Sequence, residues 1–415
     1  MKNIKHLKCL LCGKKYRTDD VRYTCPDCGN NGILEVVYDY DKIKTEFSKD
    51  LLSKNINFSM WRYLPLLPLD GLEKASPLQV GWTPLYEAKR LRGKLGVNSL
   101  WIKDDGRNPT ASLKDRASSI AVVKAQELGE NIITCASTGN AASSLAGISA
   151  SLGLKNFIFI PERAPQAKVA QLLVFGATVF AVKGSYDDAF ALSIKATEVF
   201  GWYNRNTAFN PYMVEGKKTV ALEIAEQLNF DIPDYVFVSV GDGCIISGIA
   251  KGFYDLLSLN FIDRVPRLIA VQAMGCKPIV DAVNGDGIVR FVKPNTIADS
   301  IAVGIPRNGT MAVRDIRNSN GFGVAVEDSE ILDAIKLLGS TEGIFAEPAG
   351  ATGFAGYLKS LREGLVSPRD KVVILVTGNG LKDIESAMKI GGKTIPVEPN
   401  MDSLQEIILK EGIES

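Results

Sequence analysis

The feature that most constrains the fold is a repeated order of apolar strand, short turn and helix. Runs of strand-forming apolar residues at 157–161, 177–182 and 235–240 are each followed by a turn and then by residues at helical spacing. Strands that alternate with helices form βαβ units, in which the strands lie parallel in one sheet. The sequence therefore predicts an α/β fold with two open, twisted, mostly parallel sheets and helices on both faces.

Length and charge narrow the possible classes of protein. A chain of 415 residues is too long to fold around one ordinary hydrophobic core, and its length predicts two or three domains. The net charge of +1 gives no reason to expect a nucleic acid or an anionic membrane as a partner. The longest uncharged run, residues 131–154, is rich in Ser, Thr, Asn and Gly, which a membrane span is not. No apolar leader precedes Cys9, so we expect a cytoplasmic protein that acts on a small molecule.

Two Cys-x-x-Cys pairs near the N-terminus predict a zinc ribbon over residues 1–38. Each pair is followed by Gly, which suits a tight knuckle, and four thiolates on two short turns can close a tetrahedron. The site would be structural, and the alternative is a degenerated ribbon with reduced, metal-free cysteines. The predicted zinc ligands are Cys9, Cys12, Cys25 and Cys28.

A lysine near the start of a predicted helix is the leading candidate for chemistry. Residues 108–116 read Asn-Pro-Thr-Ala-Ser-Leu-Lys-Asp-Arg, with a turn signal at Asn108 and with Ser112 as the expected N-cap. Lys114 would then lie in the first turn, at the positive end of the helix dipole, which favours an amine with a lowered pKa. Such an amine can form a Schiff base. Taken alone, Lys114 would be interpreted as a solvated surface lysine.

Three polar loops follow predicted strands, and each suggests a binding function. The loops around residues 136–144 and 241–248 both lead into helices, and a strand, a turn and a helix N-terminus together make an anion-binding concavity. Close helix packing explains the first equally well, and a dinucleotide site or a plain turn explains the second. Thr377 ends a continuous apolar strand and, taken alone, is a strand-end cap.

The order of these motifs resembles that of the fold type II pyridoxal-phosphate enzymes, most closely the threonine synthases. Further stretches carry the resemblance: Gly-Trp-Thr-Pro-Leu from Gly81, Glu-Pro-Ala-Gly from Glu347 and Thr-Gly-Asn-Gly-Leu-Lys-Asp from Thr377. The resemblance implies that Lys114 forms the Schiff base with pyridoxal phosphate and that Asn140 contacts the ring hydroxyl. It also implies that Thr377 contacts the pyridine nitrogen. The loop implied to bind the cofactor phosphate comprises Gly241, Asp242, Gly243, Cys244 and Ile245, and the loop implied to bind the substrate carboxylate comprises Ser137, Thr138 and Gly139.

The resemblance implies elimination and replacement chemistry. A hydroxyl at Thr377 does not hold the pyridine nitrogen protonated, which suits elimination better than transamination. His6 is the only histidine, so the base must be another side chain, and Lys114 is the candidate. In threonine synthases, O-phosphohomoserine loses phosphate and water adds to Cβ.

Two positions depart from the threonine synthase pattern. Ala141 stands where a Thr helps to hold the substrate phosphate, and Met213 stands where Arg is frequent. Three reactions stay open: threonine synthesis, a cysteate-synthase-like replacement on O-phosphoserine, and a serine or threonine dehydratase-like elimination. A zinc-ribbon interaction protein with a relic catalytic body is an alternative of another class. The residues that can compensate for the two losses are Ser143, Arg163, Lys168 and Ser185, of which we predict Ser185 to bind substrate.

The resemblance also implies a division into domains. Residues 1–38 form the zinc ribbon, residues 39–130 and 211–415 form a large cofactor-binding domain, and residues 131–210 form a smaller substrate-binding domain inserted in it. We expect a homodimer.

Overall fold

The computed structural model describes residues 1–164, 166–392 and 394–411. The predicted large domain runs to residue 415, so its residues 393 and 412–415 lie outside the described part. The strands are β1 Ile4–Cys9, β2 Lys15–Tyr16, β3 Leu34–Tyr38, β4 Leu85–Glu87, β5 Ser99–Asp104, β6 Ile132–Ala136, β7 Lys155–Pro161, β8 Thr178–Val182, β9 Tyr203–Asn204, β10 Tyr235–Ser239, β11 Arg267–Ala273, β12 Gly323–Val326 and β13 Lys371–Val376.

Helices separate most of these strands. The helices are α1 Tyr40–Glu46, α2 Lys49–Ser53, α3 Lys89–Leu95, α4 Lys114–Glu127, α5 Asn140–Ala150, α6 Gln166–Val174, α7 Tyr186–Phe200, α8 Met213–Lys217, α9 Thr219–Gln227, α10 Cys244–Ser258, α11 Pro278–Asn284, α12 Gly309–Asn318, α13 Asp328–Glu342, α14 Pro348–Arg362, α15 Ile384–Ile390 and α16 Met401–Glu411. In the described part of the chain, no helix is long and apolar enough to cross a membrane.

The strands form two parallel sheets and a small antiparallel one. The larger sheet has the order β12-β11-β10-β13-β5-β4, and within it only β4 runs antiparallel to its neighbour. The second sheet has the order β8-β7-β6-β9 and is parallel throughout. The α/β class predicted from the strand and helix alternation is confirmed. The division into domains stays a prediction.

The N-terminal sheet, with the order β2-β1-β3, is antiparallel and shares its core with the rest of the protein. Leu7, Leu34 and Val36 are buried in the same apolar cluster as residues of α4, α9 and α10. The hydroxyl of Tyr38 donates to Glu215 on α8 at 2.8 Å. The first strands therefore pack directly against the helices that surround the site described below.

A buried ionic network fixes α4, the helix that begins at Lys114. Arg116 donates to Asp105 at 2.7 Å and to Glu223 on α9 at 2.8 Å, and Lys103 on β5 donates to Glu223 at 2.7 Å. The four side chains are fully buried. Arg116 is a bidentate donor, so it sets the rotation of α4 about its axis as well as its position. The network ties α4 to α9 and to the large sheet.

Glu223→Gln should destabilise the fold strongly. The change keeps the side-chain shape but leaves Arg116 and Lys103 short of one carboxylate, and breaking a buried pair costs about 3–5 kcal/mol. Although burial opposes ionisation, Arg116 and Lys103 hold the pKa of Glu223 at about 2, below its ordinary 4.5. Its contribution to stability is therefore present above pH 4.5 and is lost as the pH falls towards 2. Urea unfolding at pH 7 measures the loss.

The matched control is Asp50→Asn, which removes an exposed pair with Lys54. That change should alter the free energy of unfolding by less than about 1 kcal/mol. Equal effects of the two substitutions would contradict the role given to Glu223.

Candidate active site

The chain enters α4 through a strained turn. Ala111 has φ of 63°, in the left-handed region, and Ser112 then pairs with Gly378 in an antiparallel bridge. The N–H of Leu113 donates to the carbonyl of Thr377 at 2.9 Å, and the helix begins at Lys114 with Leu113 as its N-cap. The prediction of Ser112 as N-cap was wrong, because its backbone is held against Gly378 before the helix starts. Its hydroxyl is buried, with no partner in the described part of the chain.

Lys114 opens on a cavity of about 290 Å³. Burial lowers the pKa of Lys114 to about 8, and the charges of Lys217 and Arg205 act in the same direction. The carboxylates of Glu347 and Asp242 oppose the shift. The lowered pKa raises the neutral fraction of the Lys114 amine, which is the form that a nucleophile or a base requires.

Most of the predicted site residues meet at this cavity. It is lined, with Lys114, by Ser137, Thr138, Gly139, Asn140, Gly241, Asp242, Gly243, Cys244 and Ile245. Thr377 is buried at the end of β13 and touches the lysine segment through its carbonyl. Ser185 is exposed and caps α7, where its hydroxyl accepts from the N–H of Asp188 at 3.2 Å. Its neighbour Tyr186 lines the cavity instead.

The glycine loop before α10 forms a cradle of backbone N–H groups. Gly243 has φ of +93°, and a Cβ at this position would lie 2.7 Å from the Cβ of Ala312. Only glycine fits there, and the loop leads into the first turn of α10, whose N–H groups have no acceptor within the helix. The carboxylate of Asp242 accepts from the N–H of Arg307 at 3.1 Å. This bond fixes the orientation of the Asp242 carboxylate.

Asn140 is held by a residue that the sequence analysis did not assign to the site. Its side-chain nitrogen donates to Glu347 at 2.7 Å. Glu347 is buried at the start of α14, and burial raises the pKa of this carboxyl group. With its N–H group engaged by Glu347, the side-chain oxygen of Asn140 is left to accept a bond from a ligand. The resemblance of the Glu-Pro-Ala-Gly stretch to the family motif was the available signal, but it indicated only packing.

Two cations at the cavity were also missed. Arg205 follows β9, and Lys217 ends α8; both line the cavity, and they are 1% and 0% exposed. A guanidinium nitrogen of Arg205 and the amine of Lys217 have no hydrogen-bond partner among the described residues. Neither lies in a glycine loop, and β9, which Arg205 follows, is only two residues long, so no strand or loop pattern marked them. Only the packing of α8 and β9 around Lys114 brings them together.

The four N-terminal cysteines converge. The Sγ atoms of Cys9, Cys12, Cys25 and Cys28 all lie within 4.8 Å of one another. Gly13 and Gly29 follow the two pairs with φ of 73° and 61°, the left-handed conformation that closes each knuckle. The arrangement suits a single ion with four thiolate ligands. The remaining cysteines, Cys135, Cys244 and Cys276, are buried and separate from this cluster.

Comparison with known proteins identifies the family. Residues 77–378 match the profile of the family described as pyridoxal-phosphate dependent enzyme. The threonine synthase of Methanocaldococcus jannaschii is 41% identical over 404 residues, which are 97% of this chain and 98% of that protein. The chain belongs to the threonine synthase family of pyridoxal-phosphate-dependent enzymes. The threonine synthase of Synechocystis is 36% identical over 80% of this chain and 85% of its own length.

Solved structures of related proteins share the fold. A threonine deaminase from Solanum lycopersicum matches with a TM-score of 0.66 and 23% identity, over 80% of this chain and 92% of its own. Maize serine racemase matches with a TM-score of 0.64 and 24% identity, over 74% of this chain and 91% of its own. At these identities the likeness concerns the fold alone.

The cavity fits the cofactor of this family. Pyridoxal phosphate needs a neutral amine for its aldehyde and a site for its phosphate. The pKa of Lys114 and the glycine cradle of α10 provide these two features. The unpartnered cations also make an anionic ligand favourable in the cavity. The enzyme family expected from the sequence motifs is confirmed, whereas the individual site roles stay predictions.

Ala111→Gly should stabilise the protein. The left-handed backbone costs an alanine roughly 1–2 kcal/mol and costs a glycine little. Glycine also raises the entropy of the unfolded chain, which offsets part of this difference, so the free energy of unfolding should rise by about 1 kcal/mol. Thermal and urea unfolding measure it. The control is Ala121→Gly within α4, which should lose about 1 kcal/mol or more. A loss of stability in the Ala111 variant would show that the turn does not hold this strain.

Proposed function

We propose that the protein is a threonine synthase that converts O-phosphohomoserine and water to threonine and phosphate, with Lys114 as the catalytic residue. The observation that carries this proposal is a lysine amine with a lowered pKa on a cavity lined by the predicted cofactor and substrate loops. The identity of 41% with a threonine synthase over nearly the whole chain supports the substrate.

Lys114 has two roles in the proposal. It would hold the cofactor covalently, and its free amine would accept and return protons at Cα and Cβ of the substrate. Pyridoxal phosphate, when bound, supplies an electron sink for the charge that develops at the substrate carbon. The lowered pKa of Lys114 supports the second role, because a protonated amine cannot accept a proton.

The surrounding residues position the two ligands. The loop from Gly241 to Ile245 and the N-terminus of α10 would hold the cofactor phosphate. Asn140, itself held by Glu347, would accept a bond from the ring hydroxyl, and Thr377 would face the pyridine nitrogen. The N–H groups of residues 137–139, which precede α5, would hold the substrate carboxylate. Bonds from backbone groups keep these contacts rigid, which favours a reproducible orientation of the substrate.

A substrate panel tests the reaction. The purified enzyme should release inorganic phosphate and threonine together from O-phosphohomoserine. Lys114→Ala should lower this activity by at least about 100-fold, since it removes both the covalent anchor and the base. Lys114→Arg is the matched control: it keeps the charge but offers no neutral amine, and should be equally inactive. Both variants should lack the borohydride-sensitive visible absorbance of the lysine-bound cofactor.

Other products would point to the alternatives. A replacement product from O-phosphoserine would favour the cysteate-synthase-like reaction, and a 2-oxo acid from serine or threonine would favour a dehydratase. Absence of the visible absorbance after addition of pyridoxal phosphate would favour a relic catalytic body.

The cysteine cluster is proposed to hold a structural zinc ion. Its four thiolates would satisfy the tetrahedral coordination of zinc and leave no open position for a substrate, which supports a structural role. A bound ion would contribute directly to the folding of the N-terminal segment.

Cys9→Ser should lower the melting temperature and leave kcat unchanged. The parent should contain one zinc per chain by atomic absorption and melt at a temperature about 5 °C or more above the variant. A chelator should lower the melting temperature of the parent and leave that of the variant unchanged. The kcat measured well below both melting temperatures should be equal. Cys276→Ser, at a buried cysteine outside the cluster, controls for the loss of any thiol.

We also propose that the protein is cytoplasmic and forms a homodimer. Sedimentation of the purified chain tests the homodimeric state.

A further inference from the structure

A small apolar cluster lies between the cysteine knuckles and the glycine cradle. In this cluster Leu10 packs against the buried residues Ile33, Ala208, Val214, Cys244 and Met311. Leu10 and Ile33 come from the N-terminal segment, whereas Cys244 is the first residue of α10 and Val214 belongs to α8. The cluster therefore joins the segment that carries the four cysteines to the helix whose N-terminus is the proposed site of the cofactor phosphate.

The second cysteine pair determines the position of Ile33 through the residue before it. A Cβ at Gly32 would lie 2.6 Å from the Cβ of Cys25 and 2.7 Å from that of Cys28. The backbone of Gly32 is therefore packed directly against both cysteines, and its carbonyl accepts from the N–H of Cys25 at 2.8 Å. Because Ile33 is the next residue, a movement of this knuckle displaces its side chain in the cluster.

The first cysteine pair determines the position of Leu10 in the same way. Leu10 lies between Cys9 and Cys12, inside the first knuckle. Its N–H donates to the carbonyl of Ile33 at 3.0 Å, so the two knuckles are also joined to each other at the cluster. An ion that holds all four cysteines would therefore fix both apolar side chains that the N-terminal segment contributes.

The far side of the cluster supports the glycine cradle from two directions. Cys244 directly follows Gly243 and begins α10. Met311 precedes Ala312 on α12, and a Cβ at Gly243 would lie 2.7 Å from the Cβ of Ala312. Protein interiors are close-packed, so a shift of Cys244 or of Met311 moves the N–H groups at the start of α10.

We propose that Leu10 and Ile33 are positioning residues for the cofactor phosphate, so that zinc at the four cysteines and pyridoxal phosphate at the cavity strengthen each other's binding. The inference rests on the proposed function for the two ligand sites and does not depend on the substrate. With the ion bound, the knuckles hold the two side chains, and these hold the start of α10 in the conformation that binds a phosphate. Without the ion, that conformation is populated less, and the affinity for the cofactor falls in proportion.

Thermodynamic linkage tests the coupling, because two coupled sites change each other's affinity by the same factor. Removal of zinc with a chelator should raise the Kd for pyridoxal phosphate by about 5- to 100-fold. The visible absorbance of the lysine-bound cofactor measures this Kd, at a temperature well below the melting temperature of the zinc-free protein. Competition with a zinc-binding dye should show that the cofactor lowers the Kd for zinc by the same factor. Equal cofactor affinities with and without zinc would overturn the proposal.

Substitutions at two adjacent residues separate positioning from general stability. Ile33→Ala should weaken cofactor binding to the zinc-loaded enzyme by about 5-fold or more and reduce the coupling between the two ligands to less than about 3-fold. Ile33→Val, which keeps the branched side chain, should restore the affinity to within about 3-fold of the parent. Leu34→Ala is the matched control, because it truncates a buried side chain of the main apolar cluster. It should lower the melting temperature and leave the Kd for the cofactor unchanged.

The remaining outcomes distinguish this inference from the proposed reaction. Leu10→Ala tests the same link from the first knuckle and gives a result even where Ile33→Ala does not fold; it too should weaken cofactor binding. Equal losses of cofactor affinity in Ile33→Ala and Leu34→Ala would overturn the positioning role. Coupled affinities in an enzyme that does not turn over O-phosphohomoserine would refute the proposed reaction and leave the coupling standing. Turnover with independent affinities would refute the coupling alone.

Discussion

The buried guanidinium of Arg116 is the interaction on which the site depends. It lies two residues after Lys114 and joins Asp105, Glu223 and Thr219, which come from the loop before α4 and from α9. A helix held by several bonds to one rigid planar group cannot rotate or slide without breaking all of them. The direction in which Lys114 enters the cavity is therefore set by a network that makes no contact with a ligand.

The N-terminal sheet supports the opposite side of the same cavity. The hydroxyl of Tyr23, between the two cysteine pairs, accepts from the N–H of Asn204, next to Arg205. Tyr38 on β3 donates to Glu215, two residues before Lys217. Arg205 and Lys217 thus each lie within two residues of a hydrogen bond with the N-terminal segment. The cysteine cluster supplies no chemical group to the cavity. Through these contacts it has a structural role beside the cavity.

Much of the fold and part of the site could be predicted from sequence. The strands predicted at 157–161, 177–182 and 235–240 lie within two residues of these bounds, because continuous apolar runs and turn residues are local signals. The start of α4 was misplaced, because the Ser112–Gly378 bridge is a tertiary contact that delays the helix. The left-handed backbone of Ala111 could not be predicted from the sequence either, because an alanine rarely adopts it.

The sequence alone determined the reacting amine, the cysteine knuckles and the loops that face the cavity, since each is a short pattern whose chemistry is carried by adjacent residues. Only the tertiary structure decided which charges surround that amine. Arg205 and Lys217 belong to segments distant from Lys114 in the chain, and they become neighbours when α8 packs against α4 and α10 and β9 pairs with β6. Burial then removes water from around them, which gives two ordinary basic residues a strong preference for an anion.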